Sequence, residues 1–227
     1  MTMAKYKVAL FDLDGTLLDT LGDLTASTNY ALRQFGLPER TAEEVRSYVG
    51  NGVENQIRCA CPGSVDGSVF AGVLAAYKTH YASHADILTK PYDGVLGTLS
   101  VLKREGFRIG VASNKFEEAA VPICRKYFGD LLDAVAGESA LCPRKPNPAM
   151  LFRLLDELGC EAKDAVYVGD SDVDIKTGKA AGIRVISCLW GFRDRSFLVK
   201  SRKEWLSETD ITDLADSPSD LLTLLCH

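Results

Sequence analysis

The sequence lacks the features that would place it at a membrane or on nucleic acid. No apolar stretch approaches the length of a transmembrane helix, and no tract of lysine and arginine is present. The formal net charge of −5 gives no electrostatic footprint for a polyanion. Residues 1–5 leave no room for a signal peptide before the first apolar run. We therefore expect a cytoplasmic protein with neither a nucleic-acid partner nor a membrane partner.

The sequence also lacks paired cysteines. Its seven cysteines form no C-x-x-C pair, and no histidines accompany them at the spacing of a zinc site. This odd and scattered set favours reduced thiols that pack as small apolar side chains. A length of 227 residues with ordinary hydrophobic content suffices for one large domain, or for a core with a smaller insert.

The most informative stretch is an apolar run that ends in two acids. Residues 7–11 do not alternate between polar and apolar, which is typical of a strand buried on both faces of a parallel α/β sheet. Asp12, Asp14 and Gly15 follow at the carboxyl end of this strand, where open α/β sheets bind ligands. Two carboxylates this close need a cation or a shared proton, and oxygen ligands favour Mg²⁺. The same residues could also form a plain acidic turn.

The chain then departs from the alternation of strand and helix. Helical spacing over residues 21–35, a capping box at residues 41–44 and a break at residues 50–52 predict an insert of four helices. The alternation resumes near Pro91 and continues to the end. It predicts a strand over residues 108–112 and a weaker strand near Ile211, whereas residues 193–209 are longer and more charged than this pattern needs.

Polar side chains recur where the predicted strands of the core end. They are Asp12 and Asp14, Ser113 and Asn114, Lys145 in a proline-stiffened loop, and Asp170 and Asp174. Because right-handed crossovers place the carboxyl ends of parallel strands on one edge, these residues can converge. Taken singly, Ser113-Asn114 resembles a helix N-cap, Lys145 a surface lysine and Gly169-Asp170 a turn. Taken together, they predict an anion site with a divalent cation.

These groups suit the hydrolysis of a phosphate ester, whose negative oxygens repel a nucleophile unless positive charge and position are supplied. Asp12 is the predicted nucleophile that forms an aspartyl-phosphate, and Asp14 is the predicted acid and base. We expect Mg²⁺ on Asp12, the backbone carbonyl of Asp14 and Asp170. The groups expected to offset or hold the phosphate are Lys145, Ser113, Asn114 and the backbone N–H groups after Asp12.

Four segments resemble the motifs of the haloacid dehalogenase superfamily, and they are Asp12-Leu13-Asp14-Gly15-Thr16, Ser113-Asn114, Lys145-Pro146 and Gly169-Asp170-Ser171-x-x-Asp174. The resemblance covers nearly the whole chain. It implies an α/β fold with a Rossmann-like core, a parallel sheet flanked by helices, at residues 1–17 and 89–227. Residues 18–88 would then be an inserted helical cap of the C1 type. The resemblance further implies Thr16 at the phosphate, with Ser171 and Asp174 behind the metal ligands.

Details within the superfamily point to one branch. Its dehalogenases lack the second acid, and its phosphonatases replace that acid with a small residue and use a cap lysine, so Asp14 argues against both. The segments that look most like phosphoglycolate phosphatases are Val49-Gly50-Asn51-Gly52, Ser113-Asn114-Lys115, Lys145-Pro146-Asn147-Pro148 and Leu189-Trp190-Gly191-Phe192. The loop of Gly50, Asn51 and Gly52 is expected to reach from the cap toward the leaving group, unless it only connects two helices.

The resemblance implies a Mg²⁺-dependent phosphoric monoester hydrolase for a small phosphorylated metabolite, with phosphoglycolate as the first candidate. A pyrophosphatase or a β-phosphoglucomutase-like phosphotransferase would share most of the core residues. A catalytically inactive phosphate-binding module is the alternative from another class, although it would need neither Asp12 as nucleophile nor Asp14 as acid. We expect a monomer or a homodimer.

Overall fold

The computed structural model describes residues 6–206 and 212–226, and the chain divides into two compact units. The first unit comprises residues 1–18 and 91–227, and the second comprises residues 19–90. The insert expected from the sequence, residues 18–88, starts one residue earlier and ends two residues earlier than the second unit. Every helix within the described ranges is too short or too polar to span a lipid bilayer.

Within residues 6–206 and 212–226, eight strands form two sheets. The strands are β1 (Val8–Phe11), β2 (Leu18–Asp19), β3 (Lys90–Pro91), β4 (Arg108–Phe116), β5 (Ala134–Glu138), β6 (Ala165–Gly169), β7 (Arg184–Cys188) and β8 (Leu214–Ala215). Six of them make a parallel sheet in the order β5-β4-β1-β6-β7-β8. The strands β2 and β3 pair separately, and they contain the two points at which the chain passes between the units.

Ten helices accompany these strands in the described residues. They are α1 (Leu21–Gln34), α2 (Ala42–Tyr48), α3 (Gly52–Ala60), α4 (Gly67–His84), α5 (Val95–Arg104), α6 (Glu117–Phe128), α7 (Ala149–Glu157), α8 (Asp172–Ala181), α9 (Arg195–Trp205) and α10 (Asp220–Cys226). The first four lie in the second unit and the other six flank the parallel sheet. The predicted Rossmann-like core, a parallel sheet flanked by helices, is therefore confirmed.

The strand β1 is apolar on both faces because helices cover both sides of the sheet. Ala9 and Phe11 belong to a buried cluster with side chains of α5, α6 and α10, whereas Val8 and Leu10 belong to a second cluster with α7. Burying one such large side chain contributes roughly 1.5–3 kcal/mol. Two covered faces remove the polar alternation that a half-exposed strand would show.

The second unit contains the four helices that its periodicity predicts. The predicted capping box is present, since the Thr41 hydroxyl accepts the N–H of Glu44 and the Glu44 carboxylate accepts the N–H of Thr41. The predicted break separates α2 from α3, and it contains Gly50 and Gly52 with φ of 117° and 79°. Such positive φ angles favour glycine because it has no Cβ atom.

Three segments of the core unit differ from the prediction or extend it. The strand β4 continues to Phe116 rather than ending at Ala112, with an irregular register against β5 between Ser113 and Phe116. The charged segment after Arg193 contains the helix α9, whose first turn begins where the Asp194 carboxylate accepts the N–H of Phe197. The strand expected near Ile211 falls outside the described residues, and the short strand β8 lies after it.

Candidate active site

Three buried acids meet at the carboxyl edge of the parallel sheet. Asp12 directly follows β1, Asp170 directly follows β6, and Asp174 lies in the first turn of α8. One carboxylate oxygen of each lies within 4.8 Å of the other two, and all three side chains are buried. They converge because β1 and β6 are parallel neighbours, paired from Val8 with Ala165 to Phe11 with Val168. The plain acidic turn that the sequence left open for Asp12 does not describe this cluster.

Lys145 is a buried cation at the centre of these acids. Its Nζ lies 2.7 Å from Asp12 Oδ1 and 2.8 Å from Asp174 Oδ1, and it donates to the Tyr167 hydroxyl at 2.9 Å. An ammonium group has three hydrogen-bond donors, so these contacts use all of them. The residue is only 3% exposed, which excludes a surface lysine. The ammonium therefore has one fixed position among the carboxylates.

Three carboxyl groups face one ammonium, and this crowding shifts the pKa values of the groups in the cluster. Burial raises the pKa of Asp12 well above its ordinary value; the Asp174 carboxylate raises it further, while the Lys145 ammonium lowers it. Burial and then Asp174 raise the pKa of Asp170 to about 7, against the backbone N–H of Phe192, which lowers it. Burial disfavours the charge on Lys145, yet Asp12 and Asp174 raise the pKa of its ammonium above the ordinary value.

The donor set fits a hard divalent cation. Three carboxylates face one ammonium, and oxygen ligands of this kind suit Mg²⁺. The Asp174 carboxylate is already engaged on both oxygens, because Oδ1 accepts the Tyr167 hydroxyl at 2.7 Å and Oδ2 accepts the Ser171 hydroxyl at 2.6 Å. The Lys145 ammonium and the Ser171 N–H add two further contacts to Asp174, whereas Asp170 Oδ1 has only a long contact of 3.4 Å from the Thr16 hydroxyl among the hydrogen bonds described. Asp12 and Asp170 are therefore the better candidates for direct contact with an ion.

The remaining residues expected at the phosphate are placed as follows. The buried Thr16 hydroxyl donates to Asp170 Oδ1 at 3.4 Å. Asn114 Oδ1 accepts the backbone N–H of Lys145 at 2.7 Å, and Asn114 Nδ2 donates to the Lys145 carbonyl at 3.3 Å. The Ser113 hydroxyl accepts the backbone N–H of Lys115 at 3.1 Å. Since Ser113 and Asn114 lie within β4 and α6 begins at Glu117, they are not a helix N-cap.

Asp14 has a charged neighbour that sequence reasoning did not assign to the site. Its Oδ1 lies 3.3 Å from the Nζ of Lys115, and the Lys115 side chain is only 6% exposed. The lysine directly follows Ser113-Asn114, and the sequence used it only as part of a family resemblance. Its position directly after the polar pair Ser113-Asn114, at a predicted strand end, was the signal in the sequence that could have identified it.

The segment after β7 packs against the first acidic loop. The Trp190 indole N–H donates to the Thr16 carbonyl at 2.9 Å, and the Phe192 N–H donates to Asp170 Oδ2 at 2.7 Å. Gly15 has a φ of 84°, and a Cβ atom there would collide with the Asp170 carboxylate. A Cβ atom at Gly191 would collide with the Gly15 carbonyl. Two glycines thus permit the close approach that surrounds Asp170.

Gly50 and Asn51 lie in the second unit between α2 and α3, and Gly52 is the first residue of α3. Asn51 precedes the first residue of α3, and no hydrogen bond from its side chain caps the helix. Their expected role toward the leaving group stays a prediction.

Comparisons of the sequence and of the fold with known proteins identify relatives of the same kind. The family model for haloacid dehalogenase-like hydrolases matches residues 9–188. The chain is 37% identical over 193 residues to phosphoglycolate phosphatase 1 of Pseudomonas aeruginosa, with 82% of this chain and 70% of that protein covered. It is 34% identical over 187 residues to the phosphoglycolate phosphatase of Aquifex aeolicus, with coverages of 82% and 86%. The solved structure of a candidate phosphoglycolate phosphatase from Lactobacillus delbrueckii subsp. bulgaricus has a TM-score of 0.89 at 31% identity, covering 98% of this chain and all of that one (100%).

A parallel sheet of this order, with buried acids around a lysine at its carboxyl edge, defines an α/β protein with a Rossmann-like core and a charged site at the strand ends. The family match and the relatives then make the assignment specific. The chain belongs to the haloacid dehalogenase-like hydrolases, and its resemblance to the phosphoglycolate phosphatase branch is confirmed.

Proposed function

We propose that the chain is a phosphoric monoester hydrolase that acts on a small phosphorylated metabolite, with phosphoglycolate as the first candidate, through an aspartyl-phosphate on Asp12. The observation that carries this proposal is the pairing of the Asp12 carboxylate with the buried Lys145 ammonium at 2.7 Å, with Asp14 two residues further on. The names of the relatives from Pseudomonas aeruginosa and Aquifex aeolicus support phosphoglycolate as the substrate.

The reaction has two steps that use Asp12 and Asp14. In the first, a carboxylate oxygen of Asp12 forms a bond to phosphorus while the bond from phosphorus to the bridging oxygen breaks, and Asp14 gives a proton to the departing oxygen. In the second, Asp14 takes a proton from water, the water oxygen attacks phosphorus, and Asp12 is released with inorganic phosphate. Each step moves one proton through the same carboxyl group, so Asp14 ends the cycle as it began.

Several side chains position the nucleophile rather than react. Lys145 holds Asp12 Oδ1 and offsets charge on the phosphoryl oxygens, with Asp174 and Tyr167 fixing its ammonium. Asn114 holds the backbone of Lys145 through both its amide atoms, and we assign it this positioning role in addition to the phosphate contact expected from the sequence. Ser113 remains the proposed hydroxyl donor to the phosphate.

We propose Mg²⁺ as the cofactor, held by Asp12, Asp170 and the backbone carbonyl of Asp14. Ser171 and Asp174 would support the site from behind. When bound, the ion supplies positive charge that lets an anionic ester approach an anionic carboxylate. Thr16 donates to Asp170 Oδ1 and thereby orients this ligand, and its contact with the phosphate is part of the proposal.

Millimolar Mg²⁺ is expected to raise the melting temperature of the protein. A ligand that binds only the folded state adds about 2.7 kcal/mol to the free energy of unfolding at a concentration of about 100 times its Kd. Differential scanning fluorimetry measures this shift without turnover. Asp170→Asn should reduce the shift strongly, whereas Asp172→Asn, which removes a carboxylate paired with Lys176 instead, should retain it. A full shift in Asp170→Asn would contradict the proposed ligand set.

The loop of Gly50, Asn51 and Gly52 is proposed to take part in substrate selection. Both glycines have positive φ angles, so the loop has a defined backbone that other residues would strain.

Phosphate release over a panel of substrates tests the proposed function. The panel contains phosphoglycolate, sugar phosphates, nucleotides and pyrophosphate, each with and without Mg²⁺. We expect Mg²⁺-dependent release of inorganic phosphate with the highest kcat/KM for phosphoglycolate. Highest activity on pyrophosphate would favour a pyrophosphatase, and isomerisation of a sugar phosphate without release would favour the phosphotransferase. Binding of phosphate without turnover of any substrate would favour the inactive module.

A further inference from the structure

We propose that Lys115 is a specificity-determining residue whose ammonium binds a carboxylate on the leaving group of the substrate. This inference rests on the proposed function. It states that one side chain, Lys115, makes the enzyme prefer a substrate with an anionic leaving group over one with a neutral leaving group.

The position of Lys115 follows from its contact with Asp14. Its Nζ lies 3.3 Å from Asp14 Oδ1, and the two side chains are 6% and 17% exposed. Asp14 is the residue that gives a proton to the bridging oxygen, so a group that contacts its carboxyl lies beside the leaving group. Lys145 contacts Asp12 and Asp174 instead, which places it at the phosphoryl group. The two lysines therefore serve opposite sides of the bond that breaks.

The backbone around Lys115 is fixed on both sides. Its N–H donates to the Ser113 hydroxyl at 3.1 Å. On the other side Gly137 of β5 lies so near that an added Cβ atom would be 2.8 Å from the Lys115 carbonyl oxygen, closer than van der Waals contact allows. The irregular register of β4 against β5 falls at this point, between Ser113 and Phe116. A buried, anchored cation of this kind is pre-organised, and pre-organisation reduces the entropy lost on binding.

The chemistry of phosphoglycolate matches this arrangement. Its carboxylate is attached to the carbon that carries the bridging oxygen, so a donor to the bridging oxygen and a donor to the carboxylate must lie close together. The Asp14 carboxyl group and the Lys115 ammonium are such a pair, since Asp14 Oδ1 lies 3.3 Å from Lys115 Nζ. An ammonium with little access to water attracts an anion more strongly than one in solvent does, because the local dielectric constant is lower. A neutral leaving group offers no such partner.

The test compares phosphoglycolate with its carboxamide, which has nearly the same shape and no charge on the leaving group. Wild type, Lys115→Met and Lys115→Arg are assayed for kcat/KM on both, with p-nitrophenyl phosphate as a second substrate without a carboxylate. We expect Lys115→Met to lose about 30-fold on phosphoglycolate and less than about threefold on the two neutral substrates, because charge-assisted hydrogen bonds exceed neutral ones. Lys115→Arg should recover part of the loss. Lys103→Met, which removes a lysine paired with Asp133 elsewhere in the core unit, should behave as wild type.

The outcomes separate this inference from the function on which it rests. A larger loss on phosphoglycolate than on both neutral substrates supports the assignment. An equal loss on all three, with an active wild type, would show that Lys115 acts only through Asp14 or the fold, and would overturn it. Equal wild-type kcat/KM for phosphoglycolate and the carboxamide would overturn it as well. Absence of any phosphate release by wild type would overturn the proposed function, and this inference with it.

Discussion

Asp12→Asn should lower kcat for phosphate ester hydrolysis by about 10,000-fold or more, because removing a covalent nucleophile leaves only binding and charge stabilisation. The fold should survive. Burial and the neighbouring Asp174 carboxylate disfavour the charged form of Asp12. An uncharged amide of the same shape removes this free-energy cost of burying a charge. Asn keeps an oxygen near the Lys145 ammonium, so we expect the free energy of unfolding to change by less than about 1 kcal/mol.

Kinetics, urea denaturation and mass spectrometry together check this result. Acid quenching of wild type during turnover should trap a phosphoryl group on the peptide that contains Asp12, and the variant should trap none. Asp172→Asn is the matched control, because it neutralises another carboxylate of the same edge that pairs with Lys176 outside the acidic cluster. Turnover of Asp12→Asn at the wild-type rate would exclude the aspartyl-phosphate.

Lys145→Met should destabilise the fold by about 3–5 kcal/mol near neutral pH, since it leaves buried carboxylates without their shared cation. Asp12 and Asp174 both lie within hydrogen-bond distance of the lysine Nζ. The variant keeps both carboxyl groups buried and removes the ammonium that they share. Methionine preserves the length and apolar stem of the side chain, so the loss reports the missing charge. We also expect turnover to fall by about 1,000-fold, because positive charge at the phosphoryl group is lost.

The destabilisation should shrink as the pH falls. Burial already holds the pKa of Asp12 above its ordinary value, and Lys145 is the group that lowers it, so the variant raises this pKa further. Between the ordinary and the raised pKa, the folded state keeps a proton that the unfolded chain has released, so stability falls as the pH rises. The deficit relative to wild type should therefore be smaller near about pH 5 than near about pH 8.

Urea denaturation at both pH values measures this difference. Lys176→Met removes a half-buried lysine paired with Asp172 on the same helix, and it should cost at most about 1 kcal/mol at either pH. A deficit for Lys145→Met that is no larger than this control, or that grows on acidification, would contradict the role assigned to the buried ammonium.

Much of the core could be predicted from the sequence, because the carboxyl ends of parallel strands lie at one edge of the sheet. Once β1 and β6 are recognised as parallel strands buried on both faces, Asp12 and Asp170 must share an edge. Asp174 follows because Ser171 is the N-cap of α8, and the Asp174 side chain returns to that N-cap in a capping box directly after Asp170. The helices of the insert were predictable because their signals join residues close in sequence, as the Thr41–Glu44 capping box and the spacing of apolar residues do.

Other parts depend on contacts that spacing does not encode. Asn114 bonds the backbone of Lys145, which lies 31 positions further along the chain. Lys115 has the sequence character of a surface lysine and is buried only because β4 continues past its expected end. The helix α9 is rich in charge, yet its Arg202 is fully buried and donates to the Ser187 hydroxyl and the Val185 carbonyl. A buried arginine at such a position contradicts the usual pattern.

The paired strands β2 and β3 have a consequence for how the family can change. The chain leaves the first unit at Leu18–Asp19 and returns at Lys90–Pro91, and these two segments pair with each other. For the parallel sheet, residues 19–90 are therefore equivalent to a loop whose two ends are held together. The entropy of closing such a loop grows slowly, by about 0.6 kcal/mol for each doubling of its length. Inserts of very different size can thus be exchanged in evolution while the catalytic strands keep their register.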